Sequence, residues 1–326
     1  VLRDNFNVAG DVEFSVEIDP RGMTIDKIVA LAEAGVTRAS IGVQDFNERV
    51  QEAINRKQSF DETKSVMDSL RRAGINRINV DLIYGLPHQT TETIADTVAQ
   101  VAELGSDRLA VFGYAHVPWM KRHQAMILDE SLPGVEERFA QSQLMARLLR
   151  EAGYESIGMD HFALPDDALS KARRAGQLRR NFQGYTDDPA DVLLGFGASA
   201  IGKLDQGYVH NATPTAQYKE LVEKQGVAVV SGYELQPDDH LRAHVIERLI
   251  CDYEFSKSQL RQQFGGQAED VFDIANDFVA EDGGDLVEWD EDVFRITPSG
   301  QPFVRNVCAR FDAFLGQGNA RHSMSV

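Results

Sequence analysis

The stretch Arg77-Ile78-Asn79-Val80-Asp81-Leu82-Ile83-Tyr84-Gly85-Leu86-Pro87 reads as a strand that runs into a turn. Side chains alternate across a strand, so Ile78, Val80 and Leu82 share one face while Asn79 and Asp81 share the other. A helical pattern follows over about 91–104. The same unit recurs upstream. Residues 12–18 alternate as a strand, a helix runs from about Thr24 to Ala34 and ends at Gly35, and a second strand covers about 38–44. Helical pattern resumes near Asn47 and again after Ser59, where Ser59 and Glu62 have capping-box spacing. Downstream come a strand at about 108–113, a loop containing Pro and His, a helix at about 135–151 and a fifth strand candidate from Tyr154 to Met159. Strands alternating with helices imply parallel βαβ units, hence an open doubly wound sheet or a barrel.

The strand faces separate these options. Val12, Phe14, Val16 and Ile18 oppose Glu13, Ser15 and Glu17, and Ala39, Ile41 and Val43 oppose Ser40, Gly42 and Gln44. Strands covered on both faces are apolar throughout, and these are not. The polar face therefore looks either into the lumen of an unclosed barrel or, as a plainer alternative, into solvent from a one-sided sheet. Glu17, Gln44 and Asp81 lie toward the C-terminal strand ends, where barrel enzymes place their chemistry. Carboxylates accept ribose hydroxyls or pair with an ammonium, and an amide both donates and accepts. The set suits a nucleoside carrying an amino-acid group.

The chain has 326 residues, 43% of them apolar, and a formal net charge of -18. That is enough for a sizeable core, and the acidity argues against nonspecific nucleic-acid binding. No stretch approaches the roughly 20 apolar residues that span a bilayer, and Val1-Leu2-Arg3-Asp4-Asn5-Phe6 lacks the features of a signal peptide. Cys251 and Cys308 have no metal-type spacing and sit on helical patterns as small buried hydrophobes, which fits a reducing cytoplasm. The tail differs from the rest. Helical segments at 238–251, 256–264 and 268–281 precede a hairpin from Leu286 to Ile296 and a last helix opened by Thr297-Pro298. The expected division is therefore a barrel with its extension over 1–235 and a small winged-helix-like module over 236–326. That tail carries 17 acids against 8 Lys and Arg, which disfavours a DNA-binding regulator.

Six stretches carry a resemblance. They are Val16-Glu17-Ile18-Asp19-Pro20, Gly42-Val43-Gln44-Asp45-Phe46-Asn47, Asn79 to Pro87, Gly158-Met159-Asp160-His161-Phe162-Ala163, Arg180-Asn181-Phe182-Gln183-Gly184-Tyr185-Thr186, and Leu194-Gly195-Phe196-Gly197-Ala198-Ser199-Ala200-Ile201. In this order and spacing the chain resembles the oxygen-independent coproporphyrinogen III oxidases from about residue 11 to residue 315. The first three stretches are shared with the radical S-adenosylmethionine haem chaperones, whereas the stretches at Gly158 and Arg180 look like the oxidase branch. The resemblance implies an α/β fold with a partial (β/α) radical-SAM barrel lacking its first strands. It also implies a [4Fe–4S] cluster and two S-adenosylmethionines, with Glu17, Gln44, Arg56, Asp81, Ala115 and Ile201 contacting the nucleosides. The implied reaction takes a hydrogen from the propionate β-carbon with a 5′-deoxyadenosyl radical and releases carbon dioxide. Two propionates of coproporphyrinogen III become vinyl groups, giving protoporphyrinogen IX. The expected partners are that substrate and an electron donor such as a flavodoxin or ferredoxin, with a cytoplasmic monomer as the working state.

Asp160, His161, Arg180, Gln183 and Tyr185 are the substrate-binding candidates. His161 equally suits a structural hydrogen bond, and Tyr185 equally suits core packing. Lys171, Arg173, Arg174, Arg179 and Arg180 put five bases within ten residues, either a site for propionates or a helix surface paired with nearby acids. The chain departs from the pattern in lacking the family's Cys-x-x-x-Cys-x-x-Cys loop and the Gly-rich strand after it; both are expected upstream of Val1, so the chain reads as N-terminally truncated. A haem chaperone that binds haem without turnover is the alternative activity.

Overall fold

The computed structural model describes residues 2–315. Contacts divide the described residues into two units, one up to Ala175 and one from Gly176. After a short helix α1 (Leu2–Asn5), the first unit alternates β1 (Ser15–Ile18), α2 (Ile25–Ala34), β2 (Arg38–Gln44), α3 (Glu48–Ala53), α4 (Phe60–Arg72), β3 (Arg77–Tyr84), α5 (Thr91–Leu104) and β4 (Arg108–Gly113). It ends with α6 (Val135–Glu151), β5 (Glu155–Ile157), β6 (His161–Ala163) and α7 (Ala168–Arg174). The strands form one open sheet in the order β1-β2-β3-β4-β6-β5, with β1 to β4 parallel.

Local chemistry sets the element ends. The Thr24 hydroxyl accepts from Lys27 N to open α2, and Gly35 closes it in the left-handed region at φ 91°, where a side chain would be strained. Ser59 accepts from Glu62 N at the start of α4, as its spacing predicts. Two strands depart from expectation. Only Ser15–Ile18 of the 12–18 run pairs, because Phe14 is already spent accepting from Thr37 and Arg38. The fifth strand is a hairpin: Gly158 adopts φ 54°, so the chain turns and returns as β6, antiparallel to both β5 and β4.

The helices cover the apolar sheet face. Ile41, Ile78, Val80, Leu82 and Leu109 are fully buried in a core that also takes in Met67 and Leu70 of α4 and Ile94 and Val101 of α5. Each such side chain contributes roughly 1.5–3 kcal/mol by leaving water. The opposite face is polar and closed at its N-terminal end by ions. Arg108 Nε donates to Asp167 at 2.7 Å, while Arg38 lies 3.8 Å from Asp167 and 3.2 Å from Glu13 and donates to Asn79 Oδ1 at 2.9 Å. Asp167 also caps α7 by accepting from Leu169 N.

The second unit contains hairpin β7 (Arg179–Asn181) and β8 (Gly184–Thr186), then a three-stranded sheet of β9 (Ile201–Leu204), β10 (Gly207–Asn211) and β11 (Val229–Glu234), with α8 (Thr215–Gln225) between the last two. Its remainder is α9 (Pro237–Asp252), β12 (Glu254–Ser256), α10 (Lys257–Phe264), α11 (Ala268–Asp282), β13 (Val287–Asp290), β14 (Val293–Ile296) and α12 (Val304–Ala309). β12, β14 and β13 form one antiparallel sheet over an aromatic cluster of Phe255, Trp289, Phe294 and Phe311. The last helix starts later than Pro298, because Thr297 is tied to Leu286 and Asp285 at the end of the hairpin. The units divide at residue 175, earlier than the 235 expected. The 179–186 hairpin is tied to α9: Tyr185 donates to Ile250 O, Arg248 to Leu178 O, and Arg179 to Glu247.

Asp167→Asn leaves two buried guanidiniums facing each other and should cost on the order of 3 kcal/mol of unfolding free energy. Glu13→Gln, at the half-exposed side of the same cluster, should cost less than about 1 kcal/mol. Urea denaturation of the two variants distinguishes them, and equal losses would contradict this account of the ionic floor.

Candidate functional site

The parallel register aligns the polar face into rows. Glu17 pairs with Ser40, and Ser40 with Asn79; one step toward the strand ends, Gly42 pairs with Asp81, Asp81 with Ala110, and Ala110 with His161. Adjacent strands lie about 4.8 Å apart, so this second row carries Asp81 and His161 on the same face, roughly 10 Å from each other. Asp81 is the electrostatic centre of the face. Burial first, and then the nearby Glu17 carboxylate, push its carboxyl up to about 7, against a hydrogen bond from Ser40. A buried acid with another acid beside it is short of positive charge.

Gln44 and Arg56 close over Gly42. A side chain at Gly42 would meet the Gln44 amide nitrogen at 2.7 Å and an Arg56 terminal nitrogen at 3.1 Å, so the missing Cβ is what admits both. Arg56 donates to Gly42 O at 2.9 Å and lies 3.4 Å from Asp19, while its buried Nε meets no partner in the protein. Gln44 holds φ 70°, uncommon for a residue with a side chain, and a register shift between Gly42 and Gln44 breaks the ladder there. This bend returns the Gln44 side chain to the polar face.

The bend is fixed by residues that the sequence reading did not single out. Asp45, 1% exposed, accepts from Asn47 N, Gln89 Nε2 and Thr97 Oγ1 at 2.6, 2.6 and 3.2 Å, and burial pushes its carboxyl upward. Gln89 also donates to Ile83 O and accepts from Leu86 N. Gln141 of α6 donates to Gln89 O and accepts from Gly85 N. The ends of β2 and β3 are thus bolted together by buried amides. Only the polar residues' presence inside helical and turn patterns could have signalled them.

The other candidates lie as follows. Ala115 is exposed just past β4, where its carbonyl accepts from Gln124 Nε2 at 3.1 Å, on the same rim as Asp81. Asp160 Oδ1 and His161 Nδ1 are 2.7 Å apart, with the imidazole edge-on to Phe112. In the second unit, Ile201 opens β9, half-buried. Arg180 stacks on the Tyr185 ring at 4.4 Å, and Gln183 is exposed in the turn between β7 and β8. Of the five clustered bases, Arg174 pairs with Glu155 and Arg179 with Asp191 and Glu247. Those two follow the surface-pairing reading.

The face fits a cationic nucleoside: two carboxylates, an amide and a partly unsatisfied guanidinium surround a row of small residues. Among the described residues no group of three His, Cys, Asp or Glu could hold an ion, and burial pushes the Cys251 and Cys308 thiols up to about 12. Among the described residues no helix is long and apolar enough to cross a membrane.

Comparison with known proteins identifies the family of the chain. Residues 2–101 match the model of the radical SAM superfamily. The oxygen-independent coproporphyrinogen III oxidase of Bradyrhizobium diazoefficiens is 46% identical over 325 residues, covering 100% of this chain and 72% of that protein. The enzyme of the same name from Escherichia coli K12 is 41% identical over 97% of this chain and 70% of its own length. A solved structure, described as a coproporphyrinogen III oxidase from Escherichia coli that is a radical SAM enzyme, superposes with a TM-score of 0.92 at 41% identity, over 96% of this chain and 72% of that one. With such identity along nearly all its length, the chain belongs to the oxygen-independent coproporphyrinogen III oxidase family of radical SAM proteins.

Proposed function

We propose that this chain serves the oxygen-independent oxidative decarboxylation of coproporphyrinogen III to protoporphyrinogen IX in haem synthesis, two propionates becoming vinyl groups. The observation that carries the reading is the cation-poor pair of Glu17 and Asp81 on the polar face of the sheet, opposite the apolar core. Radical SAM proteins use a [4Fe–4S] cluster and S-adenosylmethionine, and when bound the nucleoside supplies the radical chemistry of the family. The residues of this chain do the holding. Asp81 and Glu17 attract the cationic end and accept ribose hydroxyls, Gln44 offers both a donor and an acceptor, and Arg56 braces the Gly42 carbonyl beneath them. The ionic floor of Arg38, Arg108 and Asp167 keeps water from entering at the lower end of the sheet, which protects a reactive intermediate.

Two S-adenosylmethionines, with Ala115 and Ile201 as further contacts through their backbone, belong to this proposal. So do Asp160, His161, Arg180, Gln183 and Tyr185 as substrate contacts. A flavodoxin or ferredoxin as electron donor, a monomeric state and a cytoplasmic location complete it, the last supported by two cysteines that are both free. The haem-chaperone alternative is not favoured, since the relatives compared above bear the oxidase name.

Titration calorimetry with S-adenosylmethionine should show affinity rising about tenfold from pH 6 to pH 8 as Asp81 ionises. Asp81→Asn should bind more weakly at pH 8 and lose the pH dependence; a flat profile for the unsubstituted protein would refute the role. Stability changes oppositely. The folded pKa exceeds that of the unfolded chain, so the folded state holds the extra proton, and stability falls as pH rises from about 4 to about 7. Asp81→Asn should therefore raise the melting temperature at pH 8, by an amount worth up to about 4 kcal/mol, and have little effect at pH 4. Gln44→Ala, read in the same calorimetric assay, should weaken binding about tenfold without moving its pH dependence, as expected for a lost hydrogen-bonding pair.

A further inference from the structure

Buried and half-buried arginines in this acidic chain generally face a carboxylate: Arg38 and Arg108 meet Asp167, Arg179 meets Glu247, and Arg248 meets Asp252. Among the described residues Arg138 of α6 meets none. It lies across the C-terminal ends of β3 and β4, and among the described residues its one hydrogen bond runs from Nη2 to Tyr114 O at 3.0 Å. Its Nε is buried and meets no partner in the protein. Burial disfavours its charged form, and the nearby Tyr84 phenol, neutral at ordinary pH, offers it no counter-charge.

The surrounding backbone is cleared for it. A side chain at Gly85 would come within 3.0 Å of Arg138 Nε, and Gly85 holds φ 80°, which excludes most side chains in any case. A side chain at Gly113 would meet Tyr84 Oη at 2.9 Å and Arg138 Nη2 at 3.5 Å. Bracing one carbonyl requires a single N–H, and a neutral amide would do it without burying a charge. A guanidinium left short of both hydrogen-bond partners and counter-charge, beside Tyr114 at the C-terminal strand ends, is matched by an anion that fits its fork.

We propose that Arg138 is a carboxylate-binding residue of the rim, its terminal nitrogens pairing with a carboxylate of the bound molecules. This rests on the functional reading above, which offers two sources of that group: the methionyl carboxylate of the nucleoside and a propionate of the porphyrinogen. Tyr114 O holds the guanidinium in place, and Gly85 and Gly113 let it lie close to the strand ends.

The test measures binding of four probes to the unsubstituted chain, Arg138→Met and Arg138→Lys: S-adenosylmethionine, its decarboxylated analogue, coproporphyrin III and the tetramethyl ester of coproporphyrin III. Loss of a charge-assisted pair should weaken one carboxylate-bearing probe at least about tenfold in Arg138→Met, with its carboxylate-free counterpart unchanged. The probe affected identifies the source. Arg138→Lys keeps the charge and the stem but cannot pair through two nitrogens, so a several-fold loss confined to the same probe is expected, and it decides the matter should Arg138→Met fail to fold. Affinities unchanged within about twofold, or equal losses for probes with and without carboxylates, overturn the proposal and leave Arg138 as a brace for Tyr114. An unsubstituted chain that binds neither S-adenosylmethionine nor coproporphyrin III overturns the functional reading, and this inference with it.

Discussion

A carboxylate held out of water without a cation beside it is costly, and Asp81 is such a group. The cost arises from the sheet's one-sided cover. Helices α2, α4 and α5 pack on the apolar side of the strands, so every second residue must look the other way, into a space floored by Arg38, Arg108 and Asp167. Glu17 sits close enough to Asp81 to raise its proton affinity further, and Ser40 offers only a hydroxyl in return. A cation bound from outside would relieve what the protein leaves unbalanced, which is the basis of the proposed nucleoside site.

The same economy governs the backbone around the site. Gln44 occupies a conformation that a side chain disfavours, and the strain is tolerated because Asp45, Gln89 and Gln141 hold the ends of β2 and β3 in place. These amides have no partners to spare and lie out of water, so they fix position more than they add stability. Gly42 and Gly85 serve at the same rim by absence: one admits Gln44 and Arg56 over the sheet, the other admits Arg138.

The two candidate groups differ in character. Around Asp81 the polar atoms converge from four strands and two loops within one unit. In the second unit, Arg180 and Tyr185 stack on each other, and Tyr185 is anchored to α9 through Ile250 O. Tyr185 is buried, with its ring against Arg180.

Period-two alternation is a local property, and it alone told Glu17, Asp81 and Ser40 from Ile41, Val80 and Leu82, because a strand has only two faces and helices cover the apolar one. Helix ends at Thr24, Gly35 and Ser59 were legible for the same reason: a cap is made by residues three or four apart. What depends on residues far apart was not legible. The return of β6 beside β4, the ion floor joining Glu13, Arg38, Arg108 and Asp167, the placing of the 236–315 helices in one unit with the 179–186 hairpin, and the bare guanidinium of Arg138 all follow from distances between segments that no spacing along the chain encodes. Local pattern determined which side chains would be polar and inward; only tertiary packing decided which of them would be neutralised by a neighbour and which would keep an unbalanced charge.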